Sequence, residues 1–186
     1  MNFPDDDDLI TQIVSGQKDL FKLLVKRHEK AVYGMGMSFF RNKEDASDFT
    51  QEVFIKIFRN LSQFEGRSRF STWLYKIAYN TAINSATRQK EYQSLAEAED
   101  VPYNDNPERS MLRVLAKDAV LSAIKELPGR FQVCVDLFFF YDRSYQEIET
   151  ITGFPVNTVK SHVFRAKKIL KDKLADFDGL LSGGVT

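Results

Sequence analysis

Apolar residues recur along this chain at helical spacing, segment after segment, and the clearest pattern lies in residues 144–174. Four apolar residues of its second half fall on one side of a helix, because each residue of an α-helix advances by about 100°. They are Val159, Val163, Ala166 and Leu170. Upstream, Ser144 and Glu147 have the spacing of a capping box, and Gly153 with Pro155 provides a turn and a new helix start. The pattern predicts a helix-turn-helix.

The other side of the second helix carries hydrogen-bond donors, cations and one aromatic residue, with no carboxylate. These residues are Ser161, Phe164, Arg165 and Lys168, with Lys160 at the edge. Such a face suits a helix that lies in the major groove against base edges and phosphates. A solvated basic face is the alternative, but the capping box, the turn and the off-stripe Phe164 together favour nucleic-acid binding.

Two further segments have helical patterns with an informative polar side. Residues 8–40 form scaffold helices with a break at Ser15 and Gly16, and Asn42 can cap a helix over 43–61. Ala46, Phe49, Val53, Phe54 and Ile57 make the apolar face of that helix. Its opposite face places Asp48 one turn from Glu52, a repulsive pair that a basic partner would relieve. A solvated acidic face is an equally good interpretation of this helix by itself.

A basic, glycine-containing loop at residues 65–69 precedes the next helix, for which Ser71 is the predicted N-cap over 72–88. The polar side of this helix carries Lys76, Asn80 and Asn84, which can contact phosphates and bases. Trp73 is expected to pack in the core. Downstream, the three consecutive phenylalanines at 138–140 cannot all face one way, so at least one is expected to meet a partner.

Positive and negative residues are concentrated in different segments of the chain, although the formal net charge is zero. Residues 61–90 carry five cations and one acid, residues 91–110 carry six acids and one cation, and residues 144–175 carry six cations and three acids. Two basic segments separated by an acidic one indicate two binding surfaces joined by a tether.

Composition narrows the class of protein. With 186 residues, 43% of them apolar, the chain can bury a core. Its apolar runs are shorter than the roughly 18 residues of a membrane span, and its acidic start does not resemble a signal peptide. We therefore expect a cytoplasmic protein without membrane insertion.

Few residues offer metal or redox chemistry. Cys134 is the single cysteine, so an internal disulfide is impossible, and its apolar surroundings predict a buried thiol. The histidines are His28 and His162 alone, which gives a metal site little support. His28 lies among charged neighbours and is expected to be solvated. The sequence shows no nucleophile and base set or phosphate loop, so we expect neither catalysis nor a cofactor.

Three blocks in a fixed order carry a family resemblance: EDASDFTQEVFIKIFRNL at 44–61, FEGRSRFSTWLYKIAYNTAIN at 64–84 and SYQEIETITGFPVNTVKSHVFRAKKIL at 144–170. Together they resemble bacterial RNA polymerase sigma factors of the extracytoplasmic-function group. The resemblance implies an all-α chain with two small helical domains joined by a flexible acidic linker. Sigma domain 2 would cover residues 8–90, the linker 91–110, the helix-turn-helix domain 4 residues 111–175, and a C-terminal tail 176–186.

The resemblance also implies a role for particular residues. Those implied to bind core RNA polymerase are Asp48, Gln51, Glu52, Phe54 and Ile55. Those implied to bind the minus-ten promoter element are Arg67, Arg69, Phe70, Lys76, Asn80, Asn84 and Arg88. Those implied to bind the minus-thirty-five element are Thr158, Lys160, Ser161, Phe164, Arg165 and Lys168. Family members are commonly held by an anti-sigma factor, so such a partner is implied as well.

Some positions depart from the family pattern. Glu149 and Thr152 stand where an alanine and an aliphatic residue are usual, and His162 stands where arginine is common. The expected function is that of a promoter-specificity subunit, which binds core polymerase, recognises both promoter elements and promotes initiation. The alternative is a stand-alone helix-turn-helix regulator that binds duplex DNA as a dimer.

Overall fold

The computed structural model describes residues 4–92, 120–124 and 126–182, with side chains described as far as 85 in the first range and 175 in the last. Throughout these ranges the regular elements are helical, which confirms the all-α prediction. The chain divides into two compact units, Met1–Glu99 with Thr150–Gly153, and Asp100–Glu149 with Phe154–Thr186. The predicted linker lies outside the described residues from position 93 onward. Among the described helices, none is long and apolar enough to cross a membrane.

The described residues 4–92 of the N-terminal unit contain four α-helices and two short 3₁₀ turns. They are α1 (Asp6–Val14), a 3₁₀ turn (Lys18–Leu20), α2 (Phe21–Phe40), α3 (Lys43–Asn60), a 3₁₀ turn (Leu61–Gln63) and α4 (Phe70–Tyr92). Helix α3 begins as predicted, because Asn42 Oδ1 accepts from the Asp45 N–H at 2.8 Å. The predicted break after α1 is confirmed by Gly16, whose φ is +120°.

Helices α2 and α3 approach closely at Gly36. A Cβ atom at this position would lie 2.8 Å from Phe49 Cδ1 and 3.1 Å from the backbone of Ala46, so only glycine fits without displacement. All five residues of the predicted apolar face of α3 are buried. The core of this unit therefore forms between faces that the sequence pattern had indicated.

The expectation of a solvated His28 was wrong. Its side chain is buried, and its Nε2–H donates to Asp6 Oδ2 at 2.8 Å, since a carboxylate only accepts. The prediction relied on the charged residues next to His28 in the sequence. In the helix, however, His28 lies on the inward face of α2 with Leu24 and Val32. Burial alone would raise the pKa of Asp6, but the hydrogen bonds and charges of His28 and Arg27 together lower it below its ordinary 3.8.

Helix α4 begins at Phe70, which corrects the predicted cap at Ser71. The N–H groups of Thr72 and Trp73 both donate to the carbonyl of Arg69, at 3.0 and 3.2 Å, so Ser71 lies inside the first turn. Phe70 is buried with its ring 5.4 Å from the His28 ring, and half-buried Trp73 packs on Phe64 at 5.4 Å. The start of this helix therefore lies within a cluster of aromatic rings.

The C-terminal unit is built around α5 and the two helices of the predicted helix-turn-helix. Its described elements are the helical residues 120–124, α5 (Gly129–Val135), a π-helical turn (Asp136–Phe140), α6 (Tyr145–Thr152), whose residues 150–152 are grouped with the other unit, and α7 (Val156–Ser182). Ile124, Leu127, Phe131, Val135 and Ala166 form its core, with Ile169 and Leu170 packed against it. Helix α7 continues through the first part of the predicted tail.

Candidate nucleic-acid interface

The helix-turn-helix has the local geometry that its sequence predicted. The Ser144 N–H donates to Glu147 Oε2 at 2.9 Å, and the Glu147 N–H donates to Ser144 Oγ at 3.2 Å, so both halves of the capping box are present. Ile148 and Ile151 are buried, as expected for the inward face of α6. Gly153 has a φ of +77°, a conformation that favours glycine and reverses the chain between α6 and α7.

Helix α7 starts immediately after Pro155, whose carbonyl accepts from the Val159 N–H at 3.0 Å. The carboxylate of Glu149 in α6 reaches across the turn, where its Oε1 accepts from the Val156 N–H at 3.2 Å. On the other side of the turn, the Phe154 ring meets the His162 ring edge-on at 5.4 Å. Contacts from both sides therefore position the first turns of α7.

The predicted outward side of α7 is exposed along its length; we call Thr158, Lys160, Ser161, Phe164, Arg165 and Lys168 the α7 outer face. Thr158 and Ser161 are partly buried and the other four are exposed. Phe164 is 71% exposed, the highest value among the large apolar side chains of the described residues. An aromatic ring this exposed among cations and hydroxyls suits contact with nucleic acid better than packing within the unit.

His162 lies on α7 but packs inward. Its ring centroid is 5.0 Å from that of Phe131, and its Nδ1 lies 3.8 Å from Cys134 Sγ. Burial raises the pKa of the Cys134 thiol to about 12, so the S–H remains protonated beside the ring. Burial, followed by the positive charges of Arg130 and Arg165, lowers the pKa of His162 below its ordinary 6.5. A neutral ring here serves packing and does not add a cation to the α7 outer face.

The three phenylalanines at 138–140 point in different directions, as predicted. Phe138 stacks on Tyr145 with ring centroids 4.9 Å apart, whereas Phe139 is 51% and Phe140 55% exposed. The ammonium of Lys167 lies 5.1 Å from the centroid of the Phe139 ring. The two exposed rings, which we call the C-terminal aromatic patch, form an apolar surface available to a partner.

In the N-terminal unit, α3 exposes acidic, amide and apolar side chains on one side; we call Asp48, Gln51, Glu52, Ile55 and Phe58 the α3 outer face. Ile55 is 51% exposed and Phe58 41% exposed. Sequence reasoning missed Phe58, although its position three residues after Ile55 was a usable signal. The charge of Glu52 is partly neutralised by Lys56, whose Nζ lies 2.6 Å away, so Asp48 is the carboxylate of this face with the freer charge.

Phe54 lies on the inner side of α3. It is buried and packs edge-on against Phe21 with centroids 6.4 Å apart, so its ring is part of the core in this structure. The helical pattern had already placed Phe54 on the apolar face of α3, while the polymerase-binding role implied by the resemblance stays a prediction.

The basic loop and α4 present a second polar surface. Arg67 and Arg69 are exposed around Gly66, whose φ is +68°, and Arg67 pairs with Glu65 at 2.5 Å. Lys76, Asn80 and Asn84 are exposed at intervals of one turn, and we call them the α4 polar face. Ile83, at 41% exposure beside the two asparagines, was not anticipated.

Phe70 and Arg88 do not join this surface. Phe70 is 2% exposed, so its ring packs in the core of the unit in this structure, and the minus-ten role implied for it stays a prediction. The side chain of Arg88 lies outside the described residues. Across the described ranges, no group of three or more His, Cys, Asp or Glu side chains could hold a metal ion.

Two known protein families match two successive parts of the chain. The Sigma-70 region 2 family matches residues 24–92, and the Sigma-70 region 4 family matches residues 117–170. The chain is 35% identical over 180 residues to the RNA polymerase sigma-H factor of Pseudomonas aeruginosa, covering 91% of this chain and 93% of that protein. It belongs to the extracytoplasmic-function sigma factors.

Further similar proteins support the same family assignment and fold. The chain is 33% identical over 183 residues to the ECF RNA polymerase sigma-E factor of Haemophilus influenzae, covering 91% of this chain and 95% of that one. A solved structure of the sigma factor RpoE in complex with the anti-sigma factor NepR from Bartonella quintana matches with a TM-score of 0.69, 22% identity, and coverage of 83% and 96% of the two chains. That likeness shows a shared fold.

Membership in this family defines the biochemical role. A sigma factor binds core RNA polymerase, directs it to promoters through the minus-ten and minus-thirty-five elements and promotes initiation, without being an enzyme itself. The matches to two sigma regions in the expected order also decide between the two hypotheses raised by the sequence, since a stand-alone regulator would need only the helix-turn-helix.

Proposed function

We propose that this sigma factor divides its work among three surfaces. The α3 outer face binds core polymerase, the basic loop with the α4 polar face binds the minus-ten element, and the α7 outer face binds the minus-thirty-five element. Domain 2 is proposed at 8–90, the linker at 91–110 and domain 4 at 111–175. Arg88 and Thr158 stay within the proposed DNA-binding sets, while Phe54 and Phe70 act through the core.

The α7 outer face gives this proposal its strongest support. It combines exposed cations and hydroxyl groups with a 71% exposed Phe164 and contains no carboxylate. Arg165 and Ser161 can hydrogen-bond base edges in a major groove, whereas Lys168 lies further along the helix and suits a phosphate. This face is therefore suited to reading duplex DNA.

The α4 polar face suits a different form of DNA. Its amide groups are shorter and neutral, and its cations come mainly from Arg67 and Arg69 in the loop before the helix. Bases of the minus-ten element become accessible to such groups only when they leave the stack, at a cost of a few kcal/mol per base. We propose that the loop cations hold the backbone while Asn80 and Asn84 bind unpaired bases.

The α3 outer face has the composition of a protein interface. Exposed Ile55 and Phe58 provide apolar contact, and Asp48 and Glu52 provide charges that steer a basic partner. The repulsion between the two carboxylates, one turn apart, is reduced by Lys56 and would be reduced further by a basic surface on the polymerase.

We also propose an anti-sigma partner and a cytoplasmic site of action. The solved Bartonella relative is complexed with an anti-sigma factor. In this chain the α3 outer face and the C-terminal aromatic patch are exposed apolar surfaces that such a partner can cover. The cytoplasm is the compartment in which the promoter DNA of bacteria lies.

Charge reversal on α3 tests the polymerase assignment. Asp48→Arg should weaken binding of the full-length chain to core polymerase by about tenfold or more, because like charges at a steered interface repel. Glu29→Arg, the same charge change at an exposed position on α2, serves as the matched control. The measurement is affinity for immobilised core polymerase, with helicity checked by circular dichroism. Equal affinity of the Asp48→Arg and wild-type chains would overturn the assignment.

A further inference from the structure

Glu149 links the two helices of the helix-turn-helix. From α6 its Oε1 accepts a hydrogen bond from the N–H of Val156, the first residue of α7, at 3.2 Å. The carboxylate therefore lies at the N-terminal end of the helix that carries the proposed minus-thirty-five contacts.

Helix α7 has a local reason to need this contact. The first N–H groups of a helix have no partner within it, and a Ser, Thr, Asp or Asn residue directly before the helix usually accepts from one of them. Pro155 stands there instead and has no side-chain acceptor. Glu149 performs the capping role from a different helix, and its negative charge also suits the positive end of the α7 dipole.

The helix that supplies Glu149 is itself held in place. Helix α6 has a complete capping box at Ser144 and Glu147, and Ile148 is fully buried. Between α6 and α7 the chain passes through Gly153, which has no side chain to brace the turn. The Glu149 to Val156 hydrogen bond spans that turn and ties the start of α7 to a fixed element.

We propose that Glu149 is a positioning residue for promoter recognition: by capping Val156 across the turn, it sets the orientation in which the first turns of α7 present Lys160, Ser161 and Arg165 to DNA. The inference rests on the proposed assignment of the α7 outer face to the minus-thirty-five element. Hydrogen bonds to base edges carry the sequence information, whereas contacts with phosphates carry none directly. The bond should thus affect sequence discrimination more than total affinity.

Three variants, each assembled with core polymerase as the holoenzyme, test this role. Glu149→Ala removes the acceptor, Glu149→Gln keeps an acceptor oxygen but removes the charge, and Asp172→Asn removes an exposed charge elsewhere on α7 as the matched control. The probe is a duplex enriched from a random library by the wild-type holoenzyme, compared with the same duplex after its upstream element has been scrambled. The quantity measured is the ratio of the two affinities.

Glu149→Ala should lower this ratio by about threefold to tenfold, the range expected when a helix cap is lost. Glu149→Gln should restore most of the ratio, because its amide oxygen also accepts from an N–H group. Asp172→Asn should leave the ratio unchanged. An unchanged ratio in Glu149→Ala, or equal weakening on both duplexes, would overturn the positioning role. So would a Glu149→Gln ratio as low as that of Glu149→Ala, which would mean that charge alone matters.

The same experiment separates this inference from the surface assignment beneath it. Arg165→Ala is included as a variant of the proposed reading face and should reduce the ratio regardless of Glu149. If Arg165→Ala kept the wild-type ratio, the assignment of the α7 outer face would fail. If Arg165→Ala lowered the ratio and Glu149→Ala did not, only the positioning role would fail.

Discussion

The two helices proposed to face DNA in this sigma factor place their aromatic residues in opposite environments. Phe70, at the start of α4, is 2% exposed and packs against His28, Phe64 and Trp73, whereas Phe164 on α7 is 71% exposed. Buried, the first ring can only support a loop. Exposed, the second can contact DNA itself. The α7 outer face is therefore a preformed surface, while the α4 polar face relies on small amide groups above a rigid aromatic base.

The positions of the cations follow the same division. On α7 the cations Lys160, Arg165 and Lys168 belong to the helix, so charge and hydrogen-bonding groups lie on one face. In the N-terminal unit Arg67 and Arg69 belong to the loop, and Lys76 lies on α4 with the asparagines. This arrangement favours duplex reading by α7 and capture of unpaired bases by the loop and α4.

Replacing Phe70 or Phe164 with alanine should give the largest difference between the two helices. Phe70→Ala should lower the free energy of unfolding of the N-terminal unit by about 3–5 kcal/mol, because it leaves a cavity among buried rings. Phe164→Ala should change stability by less than about 0.5 kcal/mol and weaken DNA binding instead. Urea denaturation followed by the fluorescence of Trp73 measures the first effect. A small stability loss in Phe70→Ala would contradict its core role.

Replacing single cations of α7 should have a smaller effect, and the effect on DNA binding should differ between Arg165 and Lys168. Arg165→Ala should lose about 1–3 kcal/mol of discrimination at the minus-thirty-five element, since a base-edge contact is lost. Lys168→Ala should weaken binding to all sequences and reduce the salt slope by about one. Binding titrations over a series of salt concentrations distinguish them. If Lys168→Ala changed sequence preference, the division between base and phosphate contacts would be wrong.

On α4 the expected effect is smaller still and depends on the state of the DNA. Asn80→Ala should reduce open-complex formation on a duplex promoter by about threefold, the contribution of a neutral hydrogen bond. On a template already melted at the minus-ten element the loss should be less, if Asn80 helps bases leave the stack. Permanganate footprints on both templates measure this. Unchanged melting in Asn80→Ala, together with abolished melting in Arg165→Ala, would reverse the two surface assignments.

The smallest expected effect is a change in the stability of the C-terminal unit with pH. The lowered pKa of His162 means that the folded C-terminal unit binds fewer protons than the unfolded chain as pH falls below 6.5, so its stability should decrease on acidification through this range. The N-terminal unit contains Asp6, whose lowered pKa contributes stability above 3.8 that is lost only at lower pH.

Hydrogen exchange of α5 and α7, compared with α2, measures this difference as a function of pH. His162→Gln should remove the pH dependence of the C-terminal unit near neutrality while leaving α2 unchanged. Persistence of the same dependence in His162→Gln would show that another group is responsible.

Much of the helix-turn-helix was predictable because its determinants are local. The capping box needs only Ser144 and Glu147 at the right spacing, and the turn needs a residue such as Gly153 that adopts positive φ. The buried faces of α3 and α7 were equally predictable, since helical periodicity assigns residues to a side before any partner is known.

The errors lie where a residue's environment comes from distant parts of the chain. His28 was expected in solvent, yet Asp6 and Phe70 enclose it from two other helices. The start of α4 was misplaced because Phe70 is held by an aromatic cluster, which outweighs the cap preference of Ser71.

By itself, the sequence determined the all-helical class, the Asn42 cap, the Ser144 and Glu147 capping box, the carboxylate-free face of α7 and the family, because each depends on residue type and short spacing. Tertiary structure alone decided which of the two aromatics is exposed, that His162 packs inward against Cys134, and that Glu149 caps a helix other than its own. The physical reason is that burial and hydrogen-bond partners are set by packing between elements, and that packing joins residues whose separation along the chain carries no periodic signal.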